Sequence, residues 1–355
     1  MNKIKIFLLT LILNFSSLSQ SDVRVYLDRA LITDIKQDRD FLLVATYGQG
    51  IYEYSIKDEV WKNFSTKSGD INSDLFHCVA SSEEFIWAGS NEGLHIYNRK
   101  SKKWTVKKFL EGGEFGNWIR ALYYDKKRNL LWIGRFSNVT LLDVKQNAYR
   151  EFNRTISNNS KTNNINTISA DGDSVIWFGA EFGVHKLVLD SKNQFNNWTY
   201  FNNKSRAFLT EGDMVSVSDI LPTKSSIWFA TDEFITRDNP QYNIGGIYIN
   251  NRKFDWKRIS KSDGLAGNGV FCLTRIGNNV IAGLYEFDPI KKTETGKGLA
   301  VINLTTHKVN NISQEIIKIS EARSIHFDGI NLWIGTSSGL IRVKISNKLA
   351  RWGVR

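Results

Sequence analysis

A chain of 355 residues with 41% hydrophobic and 12% aromatic side chains can bury a large core, which excludes an intrinsically disordered chain. The 47 Lys and Arg exceed the 36 Asp and Glu to give a formal charge of +11, but the two signs are interleaved, so no basic tract of the nucleic-acid-binding kind exists. With 3 prolines and 26 glycines, tight turns fall to Gly, Asn and Asp rather than to rigid kinks.

The first predicted element is a secretory signal over residues 1–19. Lys3 and Lys5 form a basic start, Ile6 to Phe15 an apolar run, and Ser17 and Ser19 supply small residues for cleavage. The run is too short for a stable membrane span, and no Cys follows it to carry a lipid. Residues 20–355 are expected as one exported domain, periplasmic or extracellular, with no membrane span. Export argues against nucleic acid as a partner. It leaves an anionic glycan or an acidic surface as the use of the basic bias, beside plain solubility.

The rest of the chain repeats one phrase. "LVATYGQGIYEY", "IWAGSNEGLHIY", "LWIGRFSNVTLL", "IWFGAEFGVHKL", "IWFATDEF", "VIAGLYEF" and "LWIGTSSGLIRV" share a small anchor residue at Ala45, Gly89, Gly134, Gly179, Ala230, Gly283 and Gly335. The gaps are 44, 45, 45, 51, 53 and 52 residues, a spacing that marks one supersecondary unit per repeat. Each unit holds short β-rich runs separated by Gly, Asn and Asp turns, which read as four-stranded meanders. The predicted fold is all-β: a seven-bladed β-propeller of four-stranded antiparallel blades. Trp87, Trp132, Trp177, Trp228 and Trp333 fall two residues before their anchors, on the second strand. Trp61, Trp104, Trp198, Trp256 and Trp352 fall on the fourth. All ten are expected to fill the wedges between blades, with the anchor small because a neighbouring blade lies close. Two segments compete for the last outer strand: "ARWGV" at the C-terminus and "DVRVY" near Asp22.

The phrases "NLWIGTSSGLIRV" and "SDGLAGNGVFCLTRIGNNVIAGL" resemble the two-component regulator propeller repeat, over roughly residues 32 to 352. Its "DGL" opening is clear only at Asp263, Gly264 and Leu265, and units five and six depart from the pattern. Such propellers often form periplasmic sensor parts of hybrid histidine kinases. The resemblance therefore implies a free-standing exported propeller of ligand-binding type, without a kinase part.

In a four-stranded blade, the turns between strands two and three share one face of the ring with the inter-blade segments. Those stretches are long and irregular here, and insertions at 232–243 and 285–297 lie among them, so the site is expected on that face, near the central channel and toward blades five and six. Four columns describe the innermost strand, from "ITDI" at Ile32 to "ARSI" at Ala322. Columns one and four are apolar. Column two holds Thr33, His77, Arg120, Asn166, Ser218, Phe271 and Arg323, and column three includes Asp34, Asp219 and both cysteines. Arg forks suit carboxylates or sulfates, while inter-blade hydrogen bonding is the alternative use of the same positions. Trp118 lies outside both packing registers and two residues from Arg120; it reads either as a sugar platform or as a local apolar plug. The candidate binding residues are Trp118, Arg120, Arg323, His77 and Asn166. Cys78 and Cys272 fall on spokes three blades apart, beyond the reach of about 7 Å between bonded Cα atoms, and are expected as buried free thiols.

The five histidines do not cluster, and HExxH and paired-cysteine metal spacings are missing. His95 and His185 share one repeat position and read as structural. No metal, cofactor or catalytic residue is expected. The expected function is recognition of an anionic oligosaccharide, or of a peptide or protein partner, by a monomer. The alternative is a polysaccharide lyase or glycoside hydrolase on the same scaffold, for which His77 with Arg120 would serve best.

Overall fold

The structure, a computed structural model, describes residues 23–190, 194–253, 255–312, 319 and 321–345. Within them, 28 strands form seven antiparallel sheets of four. Six sheets follow the chain in meander order as blades 1 to 6: residues 32–64, 76–107, 119–152, 165–201, 217–259 and 269–311. Blade 7 takes three strands from the end of the described chain, Ser324–Phe327, Asn331–Thr336 and Gly339–Lys344. Its outermost strand is Val23–Tyr26, with Val23 opposite Val343 and Tyr26 opposite Leu340. The "DVRVY" segment therefore closes the ring. "ARWGV", with Trp352, and the signal segment lie outside the described residues.

The anchors explain why the sheets form a ring. A Cβ added at Gly89 would lie 2.5 Å from Cγ2 of Ile119, and one at Gly134 would lie 2.7 Å from Cγ2 of Ile165. One at Gly179 would lie 2.8 Å from Cγ1 of Val217, and one at Gly335 2.5 Å from Cγ2 of Ile32. Each of these neighbours is the column-one residue of the next blade, and all seven column-one residues are fully buried. The second-strand tryptophans fill the wedge just outside this contact and are at most 6% exposed. Each ring meets an aromatic ring of the next blade: Trp87 with Tyr124 at 5.2 Å, Trp132 with Phe178 at 5.4 Å, Trp177 with Phe229 at 5.6 Å, Trp228 with His307 at 5.6 Å and Trp333 with Tyr54 at 5.5 Å. Trp61, Trp104, Trp198 and Trp256 cap the same wedges from the outer strands and stay partly exposed.

The innermost strands carry a feature that the columns do not reveal by themselves. In blades 1 to 6, column three pairs with the anchor and column one with the residue after it, and the register slips between them. The column-two residue is the extra residue of a β-bulge, a device that re-aims side chains. Columns two and three consequently both line the central channel.

The insertions are not irregular loops. Blade 5 continues as Ile227–Phe234 with Asn243–Asn250, and blade 6 as Asn279–Asp288 with Thr293–Asn303, so both become hairpin arms above the ring. Strand pairing satisfies backbone groups that a free loop would leave to water. The arms lock together where the Phe287 N–H donates to Glu233 Oε2 at 2.9 Å and Phe234 meets Phe287 at 4.7 Å.

Candidate functional site

The central channel encloses a cavity of about 290 Å³, lined by columns two and three of all seven blades. Several lining residues have structural work. Thr33 Oγ1 donates to the Phe76 carbonyl at 2.9 Å, Asn166 Nδ2 to the Val217 carbonyl at 3.2 Å, and Ser218 Oγ to the Val270 carbonyl at 2.5 Å. Each acceptor is the column-one carbonyl of the next blade, so these three side chains fasten neighbouring blades. Asn166, a candidate for binding from the sequence, belongs to this set; its Oδ1 has no protein partner among the described residues.

Column three fastens blades in a second way. Asp34 accepts the Ile35 N–H at 2.9 Å and the Val79 N–H of blade 2 at 3.1 Å; Asp219 accepts the Ile220 N–H and the Leu273 N–H of blade 6, both at 2.8 Å. Burial pushes the Asp219 carboxyl up to about 6, against the pull of those N–H groups and of Lys36. Lys36 stands in the lumen 3.4 Å from Asp34, ringed by protein yet open to water along the channel. Cys78 and Cys272 are buried and unbridged, as expected from their spokes, and burial raises both thiol pKa values well above the usual range.

Four column-two residues remain. Arg323 makes ion pairs with Glu321 and, at 3.5 Å, with Glu294 of the blade 6 arm, and it lies 4.9 Å from the Phe271 ring. Phe271 in turn stacks on Tyr285 at 4.3 Å. Arg120 differs. Its Nη1 donates to Asn164 Oδ1 at 3.1 Å, and it has no ion pair among the described residues. Burial lowers its pKa, and Asp232 and Glu181 act on it only through their more distant field.

Beside Arg120 lies an aromatic wall. The Trp118 ring is 5.7 Å from the guanidinium and nearly parallel to Phe136, at 5.1 Å and 8°. Trp118 Nε1–H donates to His77 Nε2 at 2.9 Å, and the Asn91 side-chain amide contacts the same nitrogen. Burial holds His77 below the usual imidazole range, which favours the neutral ring that can accept the indole proton. Tyr47 extends the wall at 5.5 Å from His77 and is 41% exposed. The structure thus brings Trp118, His77 and Arg120 together on blades 2 and 3, while Arg323 sits on blade 7.

Sequence reasoning did not group a second ring of residues. Tyr47, Asn91, Phe136, Glu181, Asp232 and Tyr285 each fall two positions after an anchor, and each touches the rim. Glu181 accepts from Asn164 at 2.5 Å; Asp232 accepts from Ser216 Oγ at 2.6 Å and from Tyr285 OH at 3.2 Å. Reading that column along the repeat would have found them. Burial raises the Asp232 pKa. Among the described residues no group of three or more His, Cys, Asp or Glu is placed to hold a metal ion, and no helix is long and apolar enough to cross a membrane.

No family model and no curated protein matches the chain. Solved structures do. The extracellular domain assigned to a one-component system of B. thetaiotaomicron matches with TM-score 0.64 and 16% identity, over 88% of this chain and 38% of that one. The extracellular domain assigned to a hybrid two-component system of B. thetaiotaomicron matches with TM-score 0.65 and 15% identity, over 90% and 39%. The computationally designed protein Ika8 matches with TM-score 0.55 and 11% identity, over 89% and 97%. The chain spans less than two fifths of the length of the first two. At these identities the likeness is one of fold, and it agrees with the resemblance of the repeats. The chain is a seven-bladed β-propeller that shares its fold with the extracellular domains of bacterial signalling systems.

Proposed function

We propose that this propeller is an exported, sensor-like binding protein that recognises an anionic oligosaccharide at the channel mouth over blades 2 and 3. The observation that carries the reading is Arg120, a half-buried guanidinium without an ion pair among the described residues, beside the stacked rings of Trp118 and Phe136. A sugar ring fits an aromatic face, and a uronate or sulfate fits the free edge of the fork. His77 fixes the indole by accepting its proton, while Arg323 and Asn166 form the further polar rim. Arg323 contributes less charge than Arg120 because Glu294 and Glu321 neutralise it. The extracellular signalling domains of similar fold support the sensor role and the exported location.

Calorimetric titration with uronate, sulfated and neutral oligosaccharides tests this. Trp118→Ala and Arg120→Ala are each expected to weaken binding of an acidic oligosaccharide by about 30-fold, the equivalent of about 2 kcal/mol. Equal affinities in wild type and both variants would remove the mouth from the site. A catalytic reading, as a polysaccharide lyase or hydrolase, draws on Asp232, whose raised pKa and Tyr285 contact suit proton transfer near Arg120. New reducing ends or unsaturated product absorbance on incubation with polyuronates would replace the binding reading with that one.

A further inference from the structure

A second surface of the ring combines an aromatic floor with a cluster of cations. The wedge between blades 4 and 5 opens on the flank as a groove of about 890 Å³. Trp177, Phe201 and Trp256 form its floor. Trp177 and Phe201 lie 5.9 Å apart, and Trp256 is braced from beneath by Phe208 at 4.5 Å and Phe229 at 5.5 Å. The floor is therefore rigid. Trp256 is only partly buried, and its indole N–H has no hydrogen bond to protein among the described residues.

Lys186, Arg206 and Lys253 stand around this floor, and none has an ion pair among the described residues. The Lys186 ammonium lies 5.4 Å from the Trp177 ring. One end of the groove is closed by Arg252, which grips Asp171 through two hydrogen bonds of 2.7 Å. The lining thus holds four cations and one carboxylate, and that carboxylate is already paired.

The backbone at the other end supplies an independent observation. Arg206, Phe208, Leu209 and Thr210 have φ of 61°, 50°, 56° and 58°. Non-glycine residues enter this left-handed region as isolated exceptions, and runs of them collect at ligand clamps. The turn is held in place by Phe208, fully buried against Tyr248 and Trp256, and by Asn203 Nδ2, which donates to the Glu211 carbonyl at 3.2 Å. Its effect is to bring Arg206 to the rim of the groove. The comparable groove between blades 2 and 3 has only two cations in its lining, Lys103 and Lys107, and lacks the left-handed run: its inter-blade loop enters that region only at Gly112 and Gly113.

We propose that the flank groove between blades 4 and 5 is a second carbohydrate site, which takes an acidic sugar unit with its ring on Trp256 and Phe201 and its carboxylate or sulfate among Lys186, Arg206 and Lys253. It uses no residue of the channel mouth and stands whether or not the mouth binds. Hydrogen–deuterium exchange of the full chain tests it, with a uronate hexasaccharide at saturating concentration and a neutral glucose hexasaccharide as control. The uronate is expected to slow exchange over residues 197–207 and 250–257. Lys186→Glu with Lys253→Glu, two surface changes that leave the floor intact, should lose that protection and weaken flank binding tenfold or more. Trp118→Ala with Arg120→Ala should keep it. Protection confined to the mouth, flank protection that survives the charge reversal, or equal protection by the neutral sugar would overturn the proposal. Loss of mouth protection alone would count only against the mouth.

Discussion

Trp333 offers the sharpest test of how the ring is held. It is fully buried at the seam between blade 7 and blade 1, where its ring meets Tyr54 at 5.5 Å and Tyr26 of the closing strand at 5.9 Å. Its Nε1–H donates to Asp328 Oδ2 at 2.7 Å. An indole buries about 200 Å², which at about 25 cal/mol per Å² is worth about 5 kcal/mol as an upper bound. Direct truncations of buried aromatic residues cost about 3–5 kcal/mol, so Trp333→Ala should fall in that range. Trp333→Phe retains most of the ring. It loses the hydrogen bond, but Asp328 Oδ2 keeps the Asn331 amide at 3.0 Å, so no acceptor is orphaned. A net hydrogen bond to a charged group is worth about 1.5–3 kcal/mol, and the remaining partner places this loss near the lower limit. Urea titrations followed by circular dichroism would measure both. A loss below about 1 kcal/mol for Trp333→Ala, or equal losses for Phe and Ala, would refute the wedge-packing account.

Gly89→Ala places a methyl 2.6 Å from Cys78 Sγ and 2.5 Å from Ile119 Cγ2, and should destabilise by about 1–3 kcal/mol through overpacking; a neutral outcome in a thermal melt would show that the blades can move apart. His95 and His185 are buried and held down to about 4, below an unfolded value of about 6.5. The unfolded chain therefore binds more protons between those values, and stability falls as the pH drops from about 6.5 through 4. His95→Phe should flatten that slope by about 1.4 kcal/mol per pH unit, and an unchanged slope in pH-dependent denaturation contradicts the assignment. The same variant should be milder at pH 7 than His185→Phe, since His185 Nε2 bonds the Thr162 carbonyl at 2.7 Å while both His95 ring nitrogens lack partners among the described residues. Cys78 and Cys272 should resist a thiol reagent in the native state and release two equivalents in denaturant; rapid native labelling would disprove their burial.

The ring was legible because its determinants are local and repeated. The small anchor and the apolar column-one residue recur in every blade, a tryptophan stands two residues before the anchor in five of the seven, and the structure joins them across neighbours as that pattern requires. Roles around the channel were only half legible. Asn166 and Arg120 occupy the same column, yet one fastens to the Val217 carbonyl and the other is left beside Trp118, because partners depend on which residues the next blade supplies. The bulge that turns both columns inward involves backbone register, which side-chain type does not encode. Arg323 and Glu294 are far apart in the chain, and only the ordering of the insertion into an arm reveals their pairing. Composition marked 285–297 as an insertion but not as two paired strands.

The shared blade sets the order in which the molecule can be completed. Val23 meets Val343, so the first strand made among those described waits 320 residues for its partner. Such non-local pairing forms slowly. Until it forms, the strand Gly339–Lys344 presents Leu340, Ile341 and Val343 beside an open row of backbone donors and acceptors. A second chain carries the same missing piece. At high concentration the topology invites two half-finished rings to exchange their first strands, giving a swapped dimer in which every blade is native and only the ownership of one strand has changed.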